Sequence, residues 1–275
     1  MMRPAIRRRT AVLGCLVLAL ALSLLTSCKE SGRTAPMATG TWAIDFQDRF
    51  SGARVVPSRW TTCFWWAKDG CTILTNDEDE WYDPAQASVS DGSLHLTARA
   101  QPSRHLGRTF THTSGMVSSG RSGNAPTDAA RYAFTYGYVE VRFRTPAGGG
   151  LWPAIWLLPV TNRSLPEIDL LEQYGSDTRR ASMTLHSSHG RNRTTVTTRD
   201  LSSGWHTVGL EWTKGRLRWY LDGTQRFEVV GDRVPAEPMY LVMNLAVGGN
   251  AGTPPRSTRF PSSFLVDQVT VWKQS

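Results

Sequence analysis

Three carboxylates fall within six positions of one short segment: Glu167, Asp169 and Glu172, interleaved with Ile168, Leu170 and Leu171 between Pro166 and Gly175. Side chains of a β-strand alternate between faces, so Glu167 and Asp169 share one face and Ile168 and Leu170 take the other. Glu172 is out of phase. An unbroken pleat would send it into the apolar side, where an unpaired carboxylate is costly to bury. One extra residue, a β-bulge at Leu170 or Leu171, returns it to the side of the other two acids. Crowded carboxyl groups cannot all ionise, so one holds its proton while another stays charged. That asymmetry supplies a general acid and a nucleophile, the pair that cleavage of a glycosidic bond requires. A separation of roughly 5–5.5 Å between them leaves no room for a water and implies retention through a covalent glycosyl-enzyme. The competing reading of the same residues is a solvated acidic edge or a cation site.

The elements that must hold this segment read as strand after strand. Ser88 to Ala98 turns at Asp91-Gly92 and places Leu94 and Leu96 on one face. Tyr136 to Arg144 alternates, with Val139, Val141 and Phe143 inward and Tyr138, Glu140, Arg142 and Arg144 outward. Val208, Leu210 and Trp212 repeat the pattern, Lys214-Gly215 turns into Leu217, Trp219 and Leu221, and Asp222-Gly223 turns into Phe227 and Val229. Met239 to Val247 is an almost continuous apolar run, as in a strand covered on both sides. Trp152 and Trp156 share parity on the strand before the acids, and Val160 to Pro166 is long enough for a hairpin return that brings Trp156 near Glu167. Trp212, Trp219 and Trp272 read as core. Many short strands joined by Gly and Pro turns, without helical periodicity beyond the leader, predict an all-β, two-sheet antiparallel sandwich.

The N-terminus is of a different kind. Arg3, Arg7, Arg8 and Arg9 precede an apolar run, Ala11 to Leu25, that is short for a membrane span. Residues 1–27 read as an export signal of the lipoprotein type, since Leu25-Thr26-Ser27-Cys28 looks like a bacterial lipobox whose Cys28 would be acylated; the alternative is an ordinary cleaved signal. Arg8-Arg9-Thr10 leaves the export route open between the general and twin-arginine systems. Residues 28–41 form a polar tether and 42–275 one catalytic domain. The protein is expected outside the cytoplasm, at the cell surface or secreted, touching membrane only through the lipid, and as a monomer. Export also bears on Cys63 and Cys71, which in an oxidising compartment form a disulfide around Phe64-Trp65-Trp66. The formal net charge of +8 falls to +4 once the leader's four arginines are gone. With no dense basic stripe, nucleic acid is excluded as a partner, and any pull toward an anionic polysaccharide is nonspecific.

The hexapeptide Glu167-Ile168-Asp169-Leu170-Leu171-Glu172 resembles the bulged E-x-D-x-x-E signature of glycoside hydrolase family 16. The likeness continues, in order, through Tyr136 to Arg142, Gly150 to Pro159, Trp205-His206-Thr207, Glu211-Trp212, Trp219 to Gly223 and Asn244 to Gly249. The resemblance implies a concanavalin A-like jelly roll with a concave active-site cleft, a polysaccharide substrate, and laminarinase-like endo-acting cleavage of β-1,3-glucan. β-Galactan, mixed-linkage glucan, transglycosylation and non-catalytic glycan binding are the alternatives. It makes Glu167 the nucleophile, Glu172 the general acid/base and Asp169 the assisting carboxyl, with Trp152 and Trp156 flooring the sugar subsites. His186 takes a position that often reaches the leaving group, or is a structural histidine. Asn76 opens a segment resembling Asn-Asn-Glu-Leu-Gln-Tyr-Tyr, from which Asp79 and Glu80 depart; Pro166 is a second departure. No cofactor is implied for catalysis. Asp267, expected buried on the face of Leu265, Val269 and Val271, is implied with backbone oxygen near Gly92 as a structural Ca²⁺ site, or is a plain hydrogen-bonded aspartate.

Overall fold

The structure is a computed structural model, which describes Met1 and residues 40–66, 71–122, 128–161 and 163–274. The leader, Cys28 and the tether up to residue 39 lie outside the described residues. Contacts divide the chain into residues 1–33 and 34–275, and the strands belong to the second unit. In chain order they are β1 (Trp42–Asp48), β2 (Glu80–Tyr82), β3 (Ala87–Ser90), β4 (Ser93–Ala98), β5 (Ser103–His105) and β6 (Arg108–Phe110). There follow β7 (His112–Ser114), β8 (Met116–Ser118), β9 (Gly137–Arg144), β10 (Leu151–Pro159), β11 (Glu167–Glu172) and β12 (Arg180–Ser187). The last are β13 (Gly190–Thr197), β14 (His206–Thr213), β15 (Arg216–Leu221), β16 (Thr224–Val230), β17 (Met239–Val247) and β18 (Ser262–Gln274).

Two antiparallel sheets carry the fold. One runs β16-β15-β14-β9-β18-β4-β3, with β1 also paired to β18; the other runs β13-β12-β11-β10-β17-β8. The alternating apolar residues explain the division. Leu94, Leu96, Val139, Val141, Phe143, Val208, Leu210, Trp212, Leu217 and Trp219 of the first sheet meet Ile155, Leu157, Ile168, Leu170, Leu171, Met183, Leu185, Met243 and Leu245 of the second in one core. The hairpin turns lie where the residues allow positive φ: Asp91 and Gly92 at 50° and 70°, Asp222 and Gly223 at 49° and 75°, as two-residue hairpins require. β17 is buried along its whole length, as its apolar run predicts.

One expectation about the first sheet gains a detail and another needs correction. Tyr138 points away from the core as its parity demands, yet it is not exposed: with Tyr220, Trp272 and Trp42 it builds a second apolar cluster on the outer face. Asp267 does not share a buried face with Val269 and Val271. A bulge between Val266 and Gln268 shifts the parity, so Val266, Val269 and Val271 point inward. The Asp267 carboxylate instead lies 2.5 Å from the Arg142 guanidinium, with 30% of its side chain exposed.

Candidate active site

The bulge foreseen in the acidic strand is present. Asp169 and Glu172 are three positions apart on β11 but face Thr184 and Ser182, two apart, on β12. On the other side, Asp169 and Leu171 face consecutive Trp156 and Ile155 of β10. Leu170 and Leu171 therefore both join Ile168 in the core. Glu167, Asp169 and Glu172 emerge together on the opposite face, lining one cavity with Trp152, Trp156 and Asn244. The Asp169 backbone carbonyl, at the start of the bulge, accepts the Trp219 indole N–H from the facing sheet at 2.9 Å. A buried carbonyl at a break in the ladder needs such a partner.

Burial dominates the electrostatics. Glu167 is pushed up to about 8, first by burial and then by the Asp169 carboxylate, with His186 opposing. Asp169, only 4% exposed, is raised well above the usual carboxylate range by burial and by the charge of Glu172. Glu172 is raised by burial too, but Arg193, His186 and the Trp152 indole pull it back down. That Trp152 N–H makes no hydrogen bond of normal geometry, so its effect on Glu172 is through proximity. His186, opposite Glu167 on β12, places Nε2 3.2 Å from Asp169 Oδ2 and 3.6 Å from Glu167 Oε1. The histidine thus belongs to the acid cluster.

The other residues named from sequence take distinct places. Trp156 is held by its indole N–H, which donates to Asn244 Oδ1 at 2.8 Å, while Asn244 Nδ2 donates to the Tyr82 hydroxyl at 2.9 Å. Asn76 donates to Glu78 Oε1 at 3.0 Å and lines a second cavity of ≈ 330 Å³ beside Glu167 and Trp156. Cys63 and Cys71 are bonded, and the loop they close turns Trp65 and Trp66 into that same cavity. Neither tryptophan was singled out from the sequence as touching substrate; the two cysteines around them were the available signal. Glu78 reaches the acid-lined cavity, another residue not foreseen. Of the two departing acids, Glu80 is fully buried and accepts the Val247 N–H at 2.8 Å, so it braces β17 and does not contact the cleft. Arg193 is a further residue that sequence reasoning passed over. It donates to Ser182 Oγ at 2.8 Å and lies 4.0 Å from Glu172 Oε2.

Two places invite a cation. Glu167, Asp169 and His186 offer ligand atoms within 4.8 Å of one another, but these are the groups of the acid cluster itself. At the implied calcium site the residues do not fit: the Asp267 carboxylate is already matched by Arg142, and a dication beside that guanidinium would be repelled.

Comparison with known proteins agrees with this geometry. The profile of the glycosyl hydrolases family 16 matches residues 76–261. The endo-1,3-1,4-beta-glycanase ExsH of Rhizobium meliloti (strain 1021) is 33% identical over 228 residues, 78% of this chain and 47% of its own; the chain spans about half the length of that curated relative. A beta-glucanase of Rhodothermus marinus is 28% identical over 299 residues, 97% of this chain and 94% of its own. The laminarinase catalytic domain from Thermotoga maritima MSB8 superposes with a TM-score of 0.76 at 25% identity, over 85% of this chain and 99% of that one. With the profile running through the bulged acidic strand and the sandwich shared as a whole, the chain belongs to glycosyl hydrolases family 16.

Proposed function

We propose that the chain is a retaining, endo-acting β-glucanase that cuts β-1,3-linked glucan of the laminarin type. The observation that carries this reading is the bulge in β11, which turns three carboxyl groups onto a floor with Trp152 and Trp156. Indole faces stack on the C–H faces of sugar rings, and the acids then divide the chemistry. Asp169, the deepest, keeps its proton; once neutral it no longer repels Glu167, whose carboxylate is free to attack the anomeric carbon. Glu172 gives its proton to the glycosidic oxygen as that bond breaks and the Glu167 ester forms. Glu172, now charged, takes a proton from water, which attacks the ester and releases the sugar and the Glu167 carboxylate. The proton that Glu172 loses to the leaving sugar is replaced from the attacking water, so both carboxyl groups end as they began and one water is consumed.

The laminarinase of Thermotoga supports the β-1,3 assignment, and the name of the Rhizobium relative favours a second reading, cleavage of mixed 1,3-1,4 linkages. The test compares wild type, Glu167→Ser and Glu172→Gln on laminarin, lichenan, agarose and galactan, with the anomer of new ends followed by proton NMR. Cleavage of laminarin with retained configuration, lost in both variants, is the expected result. Full activity in either variant removes the mechanism, and cleavage confined to galactans removes the glucan assignment. Products longer than the starting oligosaccharides identify a transglycosylase. The motif ending in Cys28 supports a cell-surface lipoprotein. Labelling with an azido-palmitate analogue should be lost in Cys28→Ala, and equal labelling of both proteins rules the anchor out.

A further inference from the structure

The strand at the edge of the cleft sheet, β13, is Gly190-Arg191-Asn192-Arg193-Thr194-Thr195-Val196-Thr197. Its register sets Arg191, Arg193 and Thr195 opposite His186, Thr184 and Ser182 of β12. His186 reaches Glu167 and Asp169, so that face of β12 is the cleft face, and the arginines beside it flank the same groove. Both arginines act on the Glu172 carboxylate. Between Glu172 and this edge lies a cavity of ≈ 260 Å³, walled by Arg180, Arg193, Tyr174 and Asp177. Tyr174 also meets Trp152 edge to face at 5.7 Å, which ties the cavity to the catalytic floor. Two arginines, Arg180 and Arg193, thus border it against two acids, Glu172 and Asp177, and Arg191 follows on the same face of β13, opposite His186. Arg180 and Arg191 have no ion-pair partner among the described residues, and the carboxylate nearest Arg193 is Glu172, at 4.0 Å.

A neutral glucan offers these cations only hydroxyl and ring oxygens, weaker acceptors than an ionised group. Worse, a guanidinium beside Glu172 favours its charged form, which opposes the work of a general acid. An oxyanion on the substrate would resolve both difficulties: the arginine forks match its oxygens in charge-assisted pairs, and once matched they release Glu172 to hold its proton. We propose that the Glu172 side of the cleft recognises a polysaccharide carrying an anionic substituent, a carboxylate or sulfate on the sugar seated between Glu172 and β13. This rests on the glucanase reading and narrows its substrate to an acidic β-glucan.

The experiment measures kcat/KM of wild type and of the double variant Arg180→Gln/Arg191→Gln on laminarin, on laminarin oxidised to the carboxylate at C6, and on laminarin sulfated at C6. Wild type is expected to prefer one acidic polymer by about 10-fold, the factor of a single charge-assisted hydrogen bond. The carboxylate and sulfate arms say which oxyanion it is. The preference should collapse toward unity in the double variant and in high salt, which screens exposed charges, and return in Arg180→Lys/Arg191→Lys. Laminarin cut as well as both acidic polymers, or an acid preference that survives in the double variant, overturns the proposal and leaves the glucanase reading standing. Failure to cut any of the three overturns the glucanase reading. In that case calorimetry of Glu167→Ser with the same three ligands decides the anion preference separately: tighter binding of an acidic ligand supports it and equal binding refutes it.

Discussion

Glu167→Gln should make the protein more stable and inactive, and the gain should depend on pH. Burial and the neighbouring Asp169 displace the Glu167 carboxyl from 4.5 to about 8. At about 1.36 kcal/mol for each unit, ionising it in the fold costs at most ~4–5 kcal/mol. Because Asp169 and Glu172 share the same protons, about 2 kcal/mol is the better expectation for Glu167 alone. The folded carboxyl holds its proton more tightly than the unfolded one. Its contribution to stability is therefore complete below the ordinary value of 4.5 and is lost as pH rises toward about 8. Glutamine cannot ionise and escapes that loss. Calorimetric melts of both proteins at about pH 5 and pH 8 should show a gain below ~1 kcal/mol at the lower pH and ~2 kcal/mol at the higher. The second corresponds to roughly 4–8 °C in Tm for a domain of this size. Laminarin hydrolysis, assayed in parallel, should disappear. A variant that melts below wild type at pH 8, or whose advantage is the same at both pH values, would refute the account of the acid cluster as a strained site.

Three further outcomes are expected. Cys63→Ser/Cys71→Ser should cost about 2–3 kcal/mol by loss of loop closure, measured by urea unfolding. It should also raise KM, because the loop carries Trp65 and Trp66 into the cavity beside Glu167. Arg193→Ala removes a charge that draws Glu172 toward ionisation, so Glu172 should keep its proton to higher pH and the alkaline limb of the kcat/KM profile should move upward. Insertion of one alanine after Leu171 should turn Glu172 toward the core, abolish hydrolysis and lower Tm.

The acid cluster was legible from sequence because strand parity is a local rule. The conflict between Glu172 and its apolar neighbours exposed the bulge before any coordinates. The hairpins at Asp91-Gly92 and Asp222-Gly223, and the inward faces of β9, β14 and β15, were readable for the same reason. Asp267 was misread by that very rule: a second bulge, in β18, shifted its parity, and no mismatch of residue type announced it. Tyr138 faced outward as read, but the Trp42, Tyr220 and Trp272 side chains that cover it come from distant parts of the chain.

What the sequence determined on its own was the chemistry available: three carboxyl groups on one strand face, two indoles of matched parity on the strand before it, and a pair of cysteines positioned to close a loop. Only the tertiary structure decided how those groups are tuned. Asp169 is buried under His186, the bulge carbonyl is held by Trp219 from the opposite sheet, Trp156 is fixed through Asn244 and Tyr82, and β13 brings its arginines to Glu172. The reason is physical. Periodicity fixes the direction a side chain leaves its own strand, whereas burial and Coulomb interactions depend on which strands become neighbours, and that is settled by the packing of the whole chain.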